Sequence, residues 1–167
     1  MTDTRRASPE FISFCEEWYD DIHKLASKIV AMGEDHAPMI LVKRGPSTVP
    51  ALVPLTDQAS KVRAMRAQIE LSQFTQTCFI VEAWVATGKI DDGGALERSV
   101  RAHRGVRNMP GRREAITFSF MHHGMQLASV CFIDRAKKSL EKDKLIDPVV
   151  SGSTGMFMLN RNETRMQ

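Results

Sequence analysis

Residues 114–121 read EAITFSFM and residues 125–133 read MQLASVCFI, with His122, His123 and Gly124 between them. Both runs alternate between apolar and polar side chains, as strands with two different faces do, and a short link joins them as an antiparallel hairpin. Upstream, Cys78–Ala86 is almost continuously apolar and is broken once, by Glu82, as expected of a central strand covered on both faces. Met39–Lys43 and Thr48–Leu55 form a second hairpin around Arg44, Gly45, Pro46 and Ser47. Pro50 and Pro54 carry no amide hydrogen, so this second strand belongs at a sheet edge or pairs only partly.

Two helices accompany the strands. Phe11, Cys15, Trp18, Ile22, Leu25, Ile29 and Met32 step alternately by four and three, which draws one apolar stripe along a helix of about 22 residues. Ser8 can cap it, Pro9 suits its first turn and Gly33 its end. The stripe packs either on the sheet or against a second copy as a helix–helix seam. Thr56 and Asp57 offer a cap for a second helix to about residue 74, with Ala59, Val62, Met65, Ile69, Leu71 and Phe74 as its apolar positions. Asp134–Asp147 is charged and reads as weakly helical up to Pro148. The economical architecture is α+β, one mostly antiparallel sheet of about five strands covered by two helices, the N-terminal one long. Residues 1–147 are expected to form a single domain containing a long basic loop, 88–113, followed by a partly flexible tail, 148–167.

At 167 residues, with 43% hydrophobic and 26% charged side chains, the chain has the composition of an ordinary globular domain and the length to bury a core without disulfides or metal. The N-terminus lacks the apolar core of a secretory signal, and the longest apolar runs are strand-sized, so a cytoplasmic protein without membrane contact is expected. Cys15, Cys78 and Cys131 stand singly in apolar segments, as free buried thiols do.

The net charge of +3 is unevenly placed. Arg98, Arg101, Arg104, Arg107, Arg112 and Arg113 put +6 into sixteen residues with no lysine and no acid, leaving the rest of the chain at −3. Glu10 to Asp35 holds seven acids against Lys24 and Lys28. Arginine without lysine favours two-pronged recognition of phosphate or carboxylate over a diffuse field. The segment has no aromatic residue on which to stack bases, so a nucleic-acid partner would be held by its backbone.

Other chemistries find little support. The five histidines have neither the i, i+4 nor the Cys-x-x-Cys-type spacing of zinc sites, and His122 and His123, adjacent on a strand, would point to opposite faces. No phosphate loop or Rossmann glycine pattern occurs, and Gly152-Ser153-Thr154-Gly155 has no strand before it, so no metal and no cofactor are expected. Glu82 and Glu114 could approach each other as catalytic acids do, but an ion pair from Glu82 to Arg112 or Arg113, pinning the base of the loop, is the favoured expectation.

Val81-Glu82-Ala83-Trp84, followed by Pro110, Arg112, Glu114 and Ala115 and then two strands, resembles a group of small uncharacterised bacterial and phage-associated proteins over about residues 39–135. The resemblance implies the domain limits and a structural role for Glu82, Trp84 and Arg112, and it carries no chemistry. Three readings follow. One is a non-enzymatic accessory protein that docks nucleic-acid phosphates or an acidic protein surface through Arg98–Arg113. The second is a hydrolase or nuclease using Glu82 and Glu114. The third is a subunit whose acidic helix meets the basic loop of another copy in a homo-oligomer.

Overall fold

The computed structural model describes residues 4–86 and 94–151. In chain order the elements are α1 (Pro9–Ala31), β1 (Met39–Arg44), β2 (Ser47–Leu52), α2 (Gln58–Ser72), β3 (Thr77–Val85), α3 (Ala95–Ala102), β4 (Arg113–His122), β5 (Met125–Asp134), β6 (Ser139–Leu140) and α4 (Pro148–Ser151). The strands make one six-stranded antiparallel sheet in the order β2-β1-β3-β4-β5-β6, which is the expected α+β class with one short strand added. No helix among the described residues is long and apolar enough to cross a membrane. The tail from Gly152 onward, including Gly152–Gly155, lies outside the described residues.

The core lies between α1 and one sheet face. Ile80, Ile116, Phe118, Phe120, Leu127 and Cys131 alternate onto that face and meet Phe11, Cys15, Trp18, Tyr19, Ile22, Ala26 and Val30. Full burial of Phe118 and Phe120 contributes roughly 1.5–3 kcal/mol each, and their rings meet Tyr19 and Trp18 edge-on. The stripe read from the sequence holds only for the first half of α1, because Leu25 and Met32 are 61% and 67% exposed. A row repeating every seven residues lags a 3.6-residue helix by about 20° per heptad. By Leu25 it has turned off the sheet, and Ala26 and Val30 are buried instead.

The other face is covered by α2, whose cap is a reciprocal pair. The Ser60 amide donates to Asp57 Oδ1 (2.7 Å) and the Asp57 amide to Ser60 Oγ (3.1 Å). The expected row Ala59, Val62, Met65 and Ile69 is not what this helix buries. It buries Ser60, Lys61, Ala64, Gln68 and Ser72, and Gln68 Nε2 donates to Ser119 O (2.7 Å). Small side chains bring this helix near the strands, and a polar one satisfies a strand carbonyl.

Asp134–Asp147 is not helical. It contains a turn, then β6, then an extended strap over residues 141–147. The strap is tied to β5 by the mutual amide–carbonyl bonds of Ala128 and Ile146 (3.0 and 2.8 Å) and to α1 by the Lys142–Asp20 ion pair. The histidine turn also departs from expectation. His123 takes a positive φ of 47° and Gly124 one of 77°, the two-residue geometry that suits hairpin twist. This swings the His123 ring beside His122, with centroids 3.9 Å apart, instead of onto the opposite face.

β2 is an edge strand, as its prolines required, and every residue in it is exposed. The two-residue link Gly45-Pro46 makes Arg44 and Ser47 a hydrogen-bonded pair. Alternation then turns the backbones of Thr48, Pro50 and Leu52 outward, consistent with the amide of Lys43, opposite Thr48, donating away from β2 to Gln76 O (3.0 Å). Pro50 therefore removes the central outward donor of the edge, which blunts pairing with another chain. Replacing Pro50 with Thr should make the weight-average mass rise more steeply with concentration than in the wild type, as read by sedimentation. Superimposable curves would show that Pro50 does not guard this edge.

Candidate functional site

The arginine segment lies in the connection from β3 to β4, whose described part, from Gly94 on, holds a helix and a 3-10 turn. The first part of the connection, 87–93, lies outside the described residues. α3 then carries Arg98 and Arg101, and a 3-10 turn at Val106–Asn108 carries Arg107. Val100, Val106 and Met109 are buried with Ala86 against Trp84, forming a small core beneath the segment. All six arginines remain exposed. Arg101 and Arg104 have no ion-pair partner among the described residues.

Two of the arginines lie against aromatic rings. The Arg112 guanidinium sits 4.9 Å from the Trp84 ring centroid and donates through Nη1 to Met109 O (3.2 Å). Arg113 lies 3.9 Å from the Phe132 ring and pairs with Glu141 at 3.2 Å, both partners about half exposed. A planar guanidinium held on a ring has lost part of its rotamer freedom, so less entropy remains to be lost on meeting an anion.

The end of α3 breaks a local rule. Its closing bonds are those of a Schellman motif, with Gly105 N–H donating to Val100 O (2.9 Å) and Arg104 N–H to Arg101 O (3.1 Å). α1 ends with the same pair of bonds, Glu34 N–H to Ile29 O and Gly33 N–H to Val30 O. In α1 the left-handed residue is Gly33 (φ 77°), whereas in α3 it is Arg104 (φ 60°). A side chain in that conformation costs about 1 kcal/mol relative to glycine.

At the base of the segment, Glu82 does not pair with Arg112 or Arg113. The register places Glu82 opposite Ile116 and Trp84 opposite Glu114, so Glu82 and Glu114 lie on the α1 face of the sheet, while Arg113 alternates to the other face against Phe132. Their partner is Arg135, just past β5. Its Nη2 meets Glu82 Oε1 at 2.5 Å and Asp35 Oδ1 at 3.0 Å, and its Nε meets Glu114 Oε2 at 2.9 Å. The His36 amide donates to the second Glu82 oxygen (2.8 Å). One guanidinium thus joins β3, β4, the end of β5 and the α1–β1 linker. Glu82 and Glu114 do come together, as the enzymatic reading required, but through a shared cation that occupies both.

Burial pushes the Glu82 carboxyl up, which the His36 amide and Arg135 partly offset and Asp35 and Glu114 reinforce. Arg135 is itself held above its usual range, first by its hydrogen bond to Glu114. The two shifts point in opposite senses for the pair. Glu82 is the more buried partner, with its side chain 16% exposed against 33% for Arg135, so its desolvation governs the response to pH. Sequence reasoning missed Arg135 because it sits in the charged run 134–144, where nothing distinguishes it from its neighbours. Among the described residues no group of three or more His, Cys, Asp or Glu side chains is placed to hold a metal ion. Compared with known protein families, curated proteins and solved structures, the chain matches none.

Removing the guanidinium leaves Glu82 buried beside Glu114 and Asp35 and raises its carboxyl further. A carboxyl raised in the folded state stabilises below its unfolded value, and that contribution is lost as pH rises through the folded value. Arg135→Ala should therefore lose about 2 kcal/mol near pH 7.5, discounted from a fully buried pair, and distinctly less near pH 4.5. Urea unfolding at the two pH values checks this, and a deficit that grows toward acid would contradict the assignment.

Proposed function

We propose that the protein is a non-enzymatic accessory factor whose β3–β4 connection docks the phosphate backbone of nucleic acid. The observation that carries this reading is Arg104 in the left-handed position that α1 fills with Gly33. His123 and Lys138 also take positive φ, within tight turns; at the end of a helix, where glycine is the common choice, an arginine in that conformation is a candidate for a role outside folding. Around it, Arg98, Arg101 and Arg107 are exposed on α3 and the following turn, and Arg112 and Arg113 are braced on rings. Arg98 and Arg101 stand one helical turn apart on α3, about 4.5 Å along the axis, and Arg104 follows at its end. Planar forks suit phosphate oxygens. Trp84 is covered by Arg112 and packs into the small core, and Phe132 is covered by Arg113, so contact falls on the backbone and not on unstacked bases.

Arg104→Gly separates folding from docking. The variant should be more stable than wild type by about 0.5–1 kcal/mol, since glycine relieves the left-handed strain. Its affinity for a short duplex should fall, with the slope of log affinity against log salt reduced by about 1, as one phosphate contact is lost. Chemical unfolding and a fluorescence-anisotropy salt series read the two effects. Duplex binding unchanged in the variant would overturn this role for Arg104, and an acidic peptide that displaces duplex at equal charge concentration would point to a protein surface as the partner.

A further inference from the structure

Arg113 already holds an anion, the carboxylate of Glu141. Arg113 opens β4 on the sheet face away from α1 and lays its guanidinium 3.9 Å from the Phe132 ring centroid. β6 pairs with β5 so that Leu140 lies opposite Ile133, and the next residue, Glu141, donates its amide to Phe132 O (2.9 Å). Leu140 turns into the core beneath α1, so alternation brings the Glu141 side chain to the other face, where Arg113 meets it.

Two features set this contact apart from a structural brace. The first is that the guanidinium is only partly used. Its Nη2 meets Glu141 Oε1 at 3.2 Å, longer than the roughly 2.7–2.9 Å of a tight charge-assisted bond, and neither Nε nor Nη1 meets an acceptor among the described residues. A fork that suits two oxygens is therefore filled by one. The second is how Glu141 is anchored. Its amide goes to Phe132 O and its carbonyl accepts from His23 Nε2 (2.8 Å), so the main chain is held without help from the carboxylate. The carboxylate can leave by side-chain rotation alone, while Arg113 stays on its ring. Both side chains are about half exposed, so an anion from solution reaches the guanidinium directly.

We propose that Glu141 is an internal stand-in for phosphate at Arg113, displaced by a phosphate of the duplex that docks on the segment. The inference rests on the reading of the segment as a phosphate-docking surface, and it names a residue that tunes that surface. A phosphodiester offers two non-bridging oxygens to the fork where Glu141 gives one, so the exchange gains a hydrogen bond at Arg113 and returns the carboxylate to water. An exposed ion pair of this kind shifts an equilibrium by at most about fivefold, so Glu141 weakens docking without preventing it.

The experiment is a double-mutant cycle with the full chain as wild type, Glu141→Gln, Arg113→Ala and the double variant, read by fluorescence anisotropy with a short labelled duplex at one fixed salt concentration. Glu141→Gln should bind about three- to fivefold more tightly than wild type. With Arg113→Ala already in place, the same change should shift affinity by less than about 1.5-fold, because the competition it relieves no longer exists. A gain of equal size in both backgrounds would mean that Glu141 acts only through the general field of the surface, and no gain in either would mean that it does not compete; each result overturns the proposal. Arg104→Gly, measured alongside, separates the exchange from the docking reading beneath it. Binding weakened by Arg104→Gly with no coupling in the cycle sinks the exchange alone, whereas binding insensitive to both Arg104→Gly and Arg113→Ala sinks the docking reading and the exchange with it.

Discussion

Glu82 is a carboxylate in the middle of an otherwise apolar strand, and the arrangement at that end of the sheet depends on how it is satisfied. An unpaired buried carboxylate would cost several kcal/mol or remain protonated. Arg135 and the His36 amide supply the partners, and supplying them fixes the positions of the segments that carry them. The same guanidinium takes Glu114 at the start of β4. The strands that begin and end the arginine connection are thus joined by their ladder and by one shared cation at its base.

That node also shapes the electrostatics of the surface above it. Glu82, Glu114 and Asp35 stand at the base of the arginine segment, and they would offset half of the +6 of Arg98–Arg113 if they turned toward it. Arg135 engages all three. Within the arginine segment Arg113 pairs with Glu141, and that pair is half exposed, so it screens weakly. An ion-pair node inside the sheet end and an electropositive surface outside it are therefore two results of one allocation of carboxylates.

What could be read from the sequence was whatever depends on neighbours in the chain. The alternation of β4 and β5, the Ser8 and Asp57 caps, and Pro50 as a mark of an edge strand are local statements, and the fold contains them. Apart from the second half of the α1 stripe and the histidine turn, the failures are pairings between distant segments. Glu82 finds Arg135, 53 positions away, in place of the arginines that precede Glu114. α2 buries Ser60, Lys61, Ala64, Gln68 and Ser72, and Gln68 meets a carbonyl of β4, a partner that the helix's own apolar residues do not reveal. The strap was read as helix because its charges suit a helix surface, whereas its backbone bonds go to Ala128 on a neighbouring strand.

The clearest local conflict is the informative one. α1 and α3 close with the same hydrogen bonds, and the geometry asks the same of the residue at each end. α1 answers with Gly33 and α3 with Arg104. Folding gains nothing from that exchange, since a guanidinium at this position meets no acid among the described residues and its backbone is strained. The five other arginines of the segment break no backbone rule and could each be read as ordinary choices for their positions, Arg112 on Trp84 and Arg113 on Phe132 among them. Arg104 cannot be read that way as easily, because a lysine, asparagine or glycine would serve solvation as well and the last two would serve the turn better. Its charge and fork shape are the properties that the proposed phosphate contact would use.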